Sequence, residues 1–350
     1  MPKQRPQEPL LQIRGLATHF FLPEGITKAN DGVDIALDPG RITCIVGESG
    51  SGKSMIANAI LQILRPPGRI VGGEMLWRLA SGELVDLASL DPRGEHIRAI
   101  RGREIAMIFQ EPMSALAPIH TIGNQMTAAI RLHLGLDRHA AKEHAIEVLR
   151  RVGMPRPAAQ FDRFTFQLSG GLRQRAMIAL ALSCGPRLLI ADEPTTALDV
   201  TTQAVILDLF KELQLQLGMA ILFITHDLGV VAEIADDVAV MYLGKVVEMA
   251  SVDDIFHQPS HPYTRALLNS VPRVGVNIGK SGNRIRGAVP DPLNRPRGCS
   301  FHPRCTEALP GICNALEPGH TSLTSEGYVR CLLHEPERVA AFRREREPVP

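Results

Sequence analysis

The stretch Gly47-Glu-Ser-Gly-Ser-Gly-Lys-Ser54 matches the pattern G-x-x-x-x-G-K-S/T. Its flanks give the match structural force. Ile42–Val46 reads as a short buried strand, and from Lys53 apolar residues recur at Ile56, Ala59, Ile60 and Ile63 with helical spacing until Pro66-Pro67. A strand feeding a helix through a glycine loop commits the chain to a layered α/β fold. Gly47, Gly50 and Gly52 let backbone amides turn inward around a polyphosphate, with Glu48, Ser49 and Ser51 between them, and the new helix adds its positive end. Lys53 is placed to reach β and γ phosphates, and Ser54 to set its hydroxyl on Mg²⁺. A ligand-free turn would leave the lysine and serine unexplained.

Further stations follow. Leu188-Leu-Ile-Ala-Asp-Glu193 is an apolar strand ending in two acids: Asp192 suits a Mg²⁺ shell and Glu193 the polarisation of an attacking water. Alone, such acids as readily cap a helix or stay solvated. His226 ends the next strand, Ile221-Leu-Phe-Ile-Thr-His226, and would present its imidazole to the γ phosphate at the same sheet edge. Leu168-Ser-Gly-Gly-Leu-Arg-Gln-Arg175 opens a second helix, with Ser169 as N-cap and Gly170 and Gly171 exposing amides. Residues 11–46 read as a β meander, 120–152 as mostly helical with Ile146, Leu149 and Val152 on one face, and Val238–Met241 as a strand leading into a hairpin at Gly244-Lys245. Strands alternating with helices imply a largely parallel sheet.

Ser169-Gly170-Gly171, set between the glycine loop and Asp192, resembles the signature of ATP-binding cassette (ABC) proteins. The resemblance implies a P-loop NTPase of ABC type over residues 8–255: a mixed sheet core, an antiparallel β subdomain and a helical subdomain at about 111–178. It implies two cassettes sandwiched head to tail, with Ser169, Gly170 and Gly171 contacting ATP held by the opposite P-loop. By the same resemblance, Gln110 touches Mg²⁺ and senses the partner, Asp199 belongs to the dimer-interface loop, and Phe20, next to Phe21, stacks on adenine. Gln110–Pro118, Asp192–Thr201 and His261–Leu268 look like the ATP-binding subunits of bacterial dipeptide, oligopeptide and nickel importers. That narrower likeness implies ATP hydrolysis driving solute import. The implied partners are a second, related ATPase subunit, two membrane permeases that the segment after Gln110 would meet, and an extracytoplasmic solute-binding protein. The place implied is the cytoplasmic face of the plasma membrane.

Charge decides what to exclude. With 38 basic and 37 acidic side chains, net +1, bulk electrostatics gives no drive toward nucleic acid. No run of about 18 apolar residues is present, and the N-terminus lacks the apolar core of a signal peptide, so a cytosolic chain with reduced cysteines is expected. Beyond residue 255 lie 12 of 26 prolines and four of six cysteines, which suggests a separate, loop-rich C-terminal appendage over 256–335 and a charged tail at 336–350. Cys299, Cys305, Cys313 and Cys331 suit Zn²⁺ or an iron–sulfur centre, though they lack the tight pairs usual for zinc; the importer likeness implies a 4Fe-4S cluster. Free thiols remain open, as does ligation by His302, His320 or His334. Cys44 and Cys184 read as core residues. Two other functions stay open: a soluble cassette ATPase acting on DNA or ribosomes, and a regulator sensing redox state through its cysteines.

Overall fold

The computed structural model describes residues 8–110, 115–196, 198–270, 285–323 and 327–344. Strands β1 (Leu11–Leu22) and β2 (Gly25–Leu37) pair antiparallel, but β3 (Ile42–Val46) leaves them for another sheet. The expected meander is therefore split, for a physical reason. β1 and β2 alternate buried and half-exposed positions, whereas all five residues of β3 are buried and need cover on both faces. β4 (Gly68–Arg78) and β5 (Leu84–Asp86) complete the smaller antiparallel sheet, ordered β2-β1-β4-β5.

The larger sheet adds β6 (Ile105–Ile108), β7 (Leu188–Asp192), β8 (Ala220–Ile224), β9 (Asp237–Tyr242), β10 (Lys245–Ser251), β11 (Thr321–Ser322) and β12 (Tyr328–Val329). Its order is β11-β12-β10-β9-β3-β8-β7-β6, parallel from β9 to β6 and antiparallel beyond. The β9–β10 reversal turns on Leu243 and Gly244, both at positive φ, as a two-residue hairpin demands. Side chains of the parallel strands divide by period two between two cores. Cys44, Val46, Ala191, Phe223 and Val240 join the core shared with the helical region, while Ile45, Ile190, Leu222, Ile224 and Met241 pack with the antiparallel sheet and the first helix.

That first helix, Lys53–Ile60, stops well before Pro66: Gln62 takes φ 52°, and Ile63 falls outside the helix. Residues 120–152 form two helices, Ile122–Leu134 and Arg138–Arg151, separated at Gly135 and capped by Thr121 and Asp137. The second buries Ala141, Ala145, Val148 and Leu149, with Val152 buried at its C-cap; of the expected face Leu149 and Val152 are in the core and Ile146 is partly covered against it.

The segment beyond 255 does not stand apart. β12 pairs with β10, Tyr328 Oη donates to Asp34 O at 2.6 Å, and Arg330 Nη2 reaches Gly32 O and Asp34 Oδ2 at 2.6 and 2.8 Å. Phe301 belongs to the main core, edge-on to Tyr242 and Tyr263. The segment is loop-rich, as its proline content suggests, and its joining to the cassette was not foreseen because long-range strand addition leaves no local signature. Among the described residues, no helix is long and apolar enough to cross a membrane.

Candidate active site

The glycine loop joins β3 to the Lys53–Ile60 helix, as the sequence requires. Gly47 (φ 154°) and Gly52 (φ 98°) are forced by close approach: a Cβ there would lie 2.2 Å from Met241 O and 2.1 Å from Ala29 O. Ser49, Gly50, Gly52, Lys53, Ser54, Gln110 and Glu193 line one cavity of about 300 Å³. Buried Lys53 donates from Nζ to Gly47 O (2.8 Å) and Glu48 O (3.1 Å), so the loop's own carbonyls hold the cation. Burial lowers the Lys53 pKa, opposed by the charges of Glu193, Asp192 and Glu48. The hydroxyl of Ser51 is buried without a partner among the described residues.

Ser54 Oγ donates to Asp192 Oδ1 at 3.0 Å. Burial raises the Asp192 pKa; the Ser54 hydrogen bond opposes this, neighbouring Glu193 adds to it and Lys53 lowers it. A buried carboxylate short of positive charge, beside a hydroxyl, fits a divalent cation such as Mg²⁺. Glu193 sits in the left-handed region at φ 46°, a conformation costing about 1–3 kcal/mol for such a residue, and its amide donates to Ile224 O at 2.9 Å. Its side chain gathers three groups: Gln110 Nε2 and Thr196 Oγ1 each donate to Oε2 at 3.0 Å, and His226 Nδ1 lies 3.2 Å from Oε1. Gln110, Glu193 and His226, expected separately from three strand ends, therefore meet. Thr196 was missed; its spacing three residues beyond Glu193 was the available signal. Gln174, also missed, donates to Pro194 O at 2.6 Å and ties the Gly170–Leu182 helix to this corner.

Other expected residues lie elsewhere. Ser169 occupies the N-cap position of that helix, yet its hydroxyl makes no capping bond; Ser169 and Gly170 are exposed. Asp199 caps the Val200–Leu217 helix through Thr202 N at 2.9 Å. Among the described residues, neither these nor Gly171 line the P-loop cavity. Phe20 lines a second cavity, which shares Met55 and Gln110 with the first and includes Asp192. Phe21 is the more exposed ring, with the Arg69 guanidinium 5.3 Å from its centroid. Residues 111–114, within the importer-like stretch after Gln110, and Ala197 lie outside the described residues, as do parts of the tail.

Cys299 N donates to Cys313 O at 2.8 Å, and Cys313 Sγ accepts from Leu309 N at 3.3 Å. Burial first, and then one another's charges, push the thiols of Cys299 to about 11 and Cys331 to about 12; burial, then the Glu307 charge and Cys313, raise that of Cys305. The four thus share one neighbourhood. Even so, among the described residues no group of three or more His, Cys, Asp or Glu side chains could hold a metal ion, so the structure supports neither the expected 4Fe-4S cluster nor its Zn²⁺ alternative. His302 bonds Cys299 O, His334 bonds Ser260 O, and His320 stacks on Tyr328 beside Asp34. Cys44 and Cys184 are buried in the fold, as expected.

Comparison with known proteins places this geometry. Residues 30–196 match the ABC transporter family, and residues 247–313 match the oligopeptide/dipeptide transporter C-terminal region. A Brucella melitensis protein assigned to peptide import ATP binding is 48% identical, the alignment covering 93% of this chain and 97% of that one. The oligopeptide transport ATP-binding protein AppD of Bacillus subtilis is 46% identical over 94% and 98%. The dimeric, ADP- and phosphate-bound cassette MJ0796 superposes with a TM-score of 0.60 at 25% identity, covering 69% of this chain and 98% of its own. A P-loop able to hold nucleotide, a glutamate poised beside it and relatives matched nearly end to end leave one assignment: the chain is an ATPase of the ATP-binding cassette transporter family and belongs to its oligopeptide and dipeptide branch.

Proposed function

We propose that this chain powers the import of peptides, with Glu193 as the base that orients and polarises the attacking water. The meeting of Gln110, Thr196 and His226 on Glu193 at the mouth of the P-loop cavity carries this reading. Lys53, freed from the loop carbonyls by competing phosphate oxygens, binds the β and γ phosphates; Ser54, Asp192 and Gln110 are the residues that would hold Mg²⁺. When bound there, Mg²⁺ would supply positive charge against the charge developing on the phosphates. His226 stabilises the γ-phosphate end, and Phe20 stacks on adenine. Exposed Ser169 and Gly170 and half-buried Gly171, with Asp199, serve a second cassette, which accounts for their absence from this chain's own cavity.

An apolar groove of about 420 Å³ is lined by Met107, Phe109, Ala129, Met177, Leu180 and Cys184, so it reaches the residue before Gln110. It suits a permease segment, and closure of two cassettes on ATP would pull on it from the cytoplasmic face. An extracytoplasmic binding protein would deliver the solute. The cassette spans 8–255 in this reading, with the C-terminal unit at 256–335. By the family likeness alone, Cys299, Cys305, Cys313 and Cys331 are the residues that would hold a 4Fe-4S cluster. Iron and acid-labile sulfide in anaerobically purified protein, lost in Cys331→Ser, test that ligation.

Function is tested with proteoliposomes containing the chain, its neighbouring permeases, the partner ATPase and the solute-binding protein. ATP-dependent accumulation of labelled di- to pentapeptides is expected. Uptake of another solute with peptides excluded overturns the peptide assignment.

A further inference from the structure

Glu48, the second residue of the P-loop, has every polar atom engaged. Its carbonyl accepts from Lys53 Nζ at 3.1 Å and Ser51 N at 3.2 Å, and its amide donates to Tyr263 Oη at 3.0 Å. Its carboxylate is clasped two-pronged by Arg304, Nη1 to Oε2 at 2.7 Å and Nη2 to Oε1 at 3.0 Å. Both Tyr263 and Arg304 come from the segment beyond residue 255. Arg304 is nearly fully buried, 6% exposed at the side chain, and all five guanidinium donors are used: two on Glu48, one each on Arg286 O (2.8 Å) and Gly287 O (3.1 Å), and one toward Tyr242 Oη (3.5 Å).

An acidic side chain beside a polyphosphate site is electrostatically unfavourable, and the Glu48 charge is felt at Lys53. The two carbonyl contacts stay within the C-terminal segment, so it is the fork on Glu48 that carries Arg304 across to the P-loop. The fork on Glu48 does something more: it cancels the only acid within the loop and fixes the peptide whose carbonyl holds Lys53.

We propose that Arg304 is a positioning residue of the nucleotide site, supplied by the C-terminal segment. It neutralises Glu48 and holds the P-loop in its phosphate-accepting shape. The inference rests on the P-loop being the ATP site.

Two measurements test it on the full-length chain: titration with a fluorescent ATP analogue plus Mg²⁺, and steady-state ATPase in the complex with its permeases. Arg304→Ala should raise the dissociation constant and the KM for ATP about tenfold with kcat at saturating ATP changed less than about threefold. Adding Glu48→Gln to Arg304→Ala should restore most of the affinity, because the uncompensated charge is gone; a purely anchoring role gives no such rescue. Thermal melts establish folding. Should Arg304→Ala fail to fold, Arg304→Lys keeps the charge without the fork and should show an intermediate KM increase. Unchanged affinity in a folded Arg304→Ala or Arg304→Lys chain, or a double variant no better than the single one, overturns the proposal. Lys53→Ala separates the failures: if it too leaves affinity unchanged, the ATP-site reading fails; if it alone weakens binding, only the role of Arg304 fails.

Discussion

In the parallel strands of the central sheet, β3, β7 and β8 bury every residue and hand alternate side chains to two cores. Beyond residue 255, β12 adds only two residues to the sheet, and polar side chains crossing back to the cassette do much of the attachment: Tyr328 and Arg330 to Asp34, Arg295 to Asp31, Arg304 to Glu48. The first region is built by local periodicity and non-directional burial. The second is placed by directional contacts between residues far apart in sequence, 256 positions for Arg304 and Glu48. The first was therefore readable in the sequence and the second was not, because hydrophobic periods are written locally, whereas a guanidinium's partner is not.

The largest effect expected in this comparison lies in the sheet. Arg41 Nε and Nη2 hold Asp237 Oδ2 and Oδ1 at 2.8 and 2.9 Å, both side chains being buried. Arg41→Ala should cost about 3–5 kcal/mol in denaturant unfolding, because a buried carboxylate loses its partner. A loss under about 1 kcal/mol would mean that burial alone holds these strands.

His261 sharpens the boundary between the regions. It is buried, its Nδ1 accepts from Tyr263 N at 3.0 Å, and burial first, then Arg265 and His334, push its pKa down to about 3. The fold therefore holds the neutral ring. Its contribution is complete above pH about 6.5 and is lost as pH falls toward 3, since only the unfolded chain takes the proton. His261→Asn keeps a helix cap and removes this titration. Relative to pH 7, wild type should lose about 3 kcal/mol more than the variant by pH 4, read from unfolding midpoints. Parallel pH curves would place the ring in contact with solvent.

Tyr328→Phe removes the donor to Asp34 O and should cost about 1 kcal/mol, with faster amide exchange along β10. If exchange quickens only after residue 320, the C-terminal segment unfolds on its own and is less integrated than its contacts indicate.

The candidate site divides the same way. The glycine loop, Asp192, Glu193 and His226 were legible because each closes a buried strand, and a strand's apolar run fixes where its end must be. Gln110 was legible through family resemblance. What bound these groups together was not: the left-handed backbone of Glu193, the hydroxyl of Thr196 and the Gln174 contact to Pro194 O all depend on tertiary approach. Tyr263 stood in a recognised motif, but nothing local pointed its hydroxyl at the amide of Glu48. The cysteines show the converse. Their spacing suggested a metal shell, while the fold brings the thiols near one another without closing one around a single ion.

The most direct test of the central claim compares wild type with Glu193→Gln in the purified complex, measuring ATP binding and turnover together. Turnover should fall on the order of 100-fold or more with ATP affinity within about threefold of wild type, since the carboxylate acts on water rather than on nucleotide. Turnover at the wild-type rate would contradict this role of Glu193, and would move hydrolysis to the partner cassette.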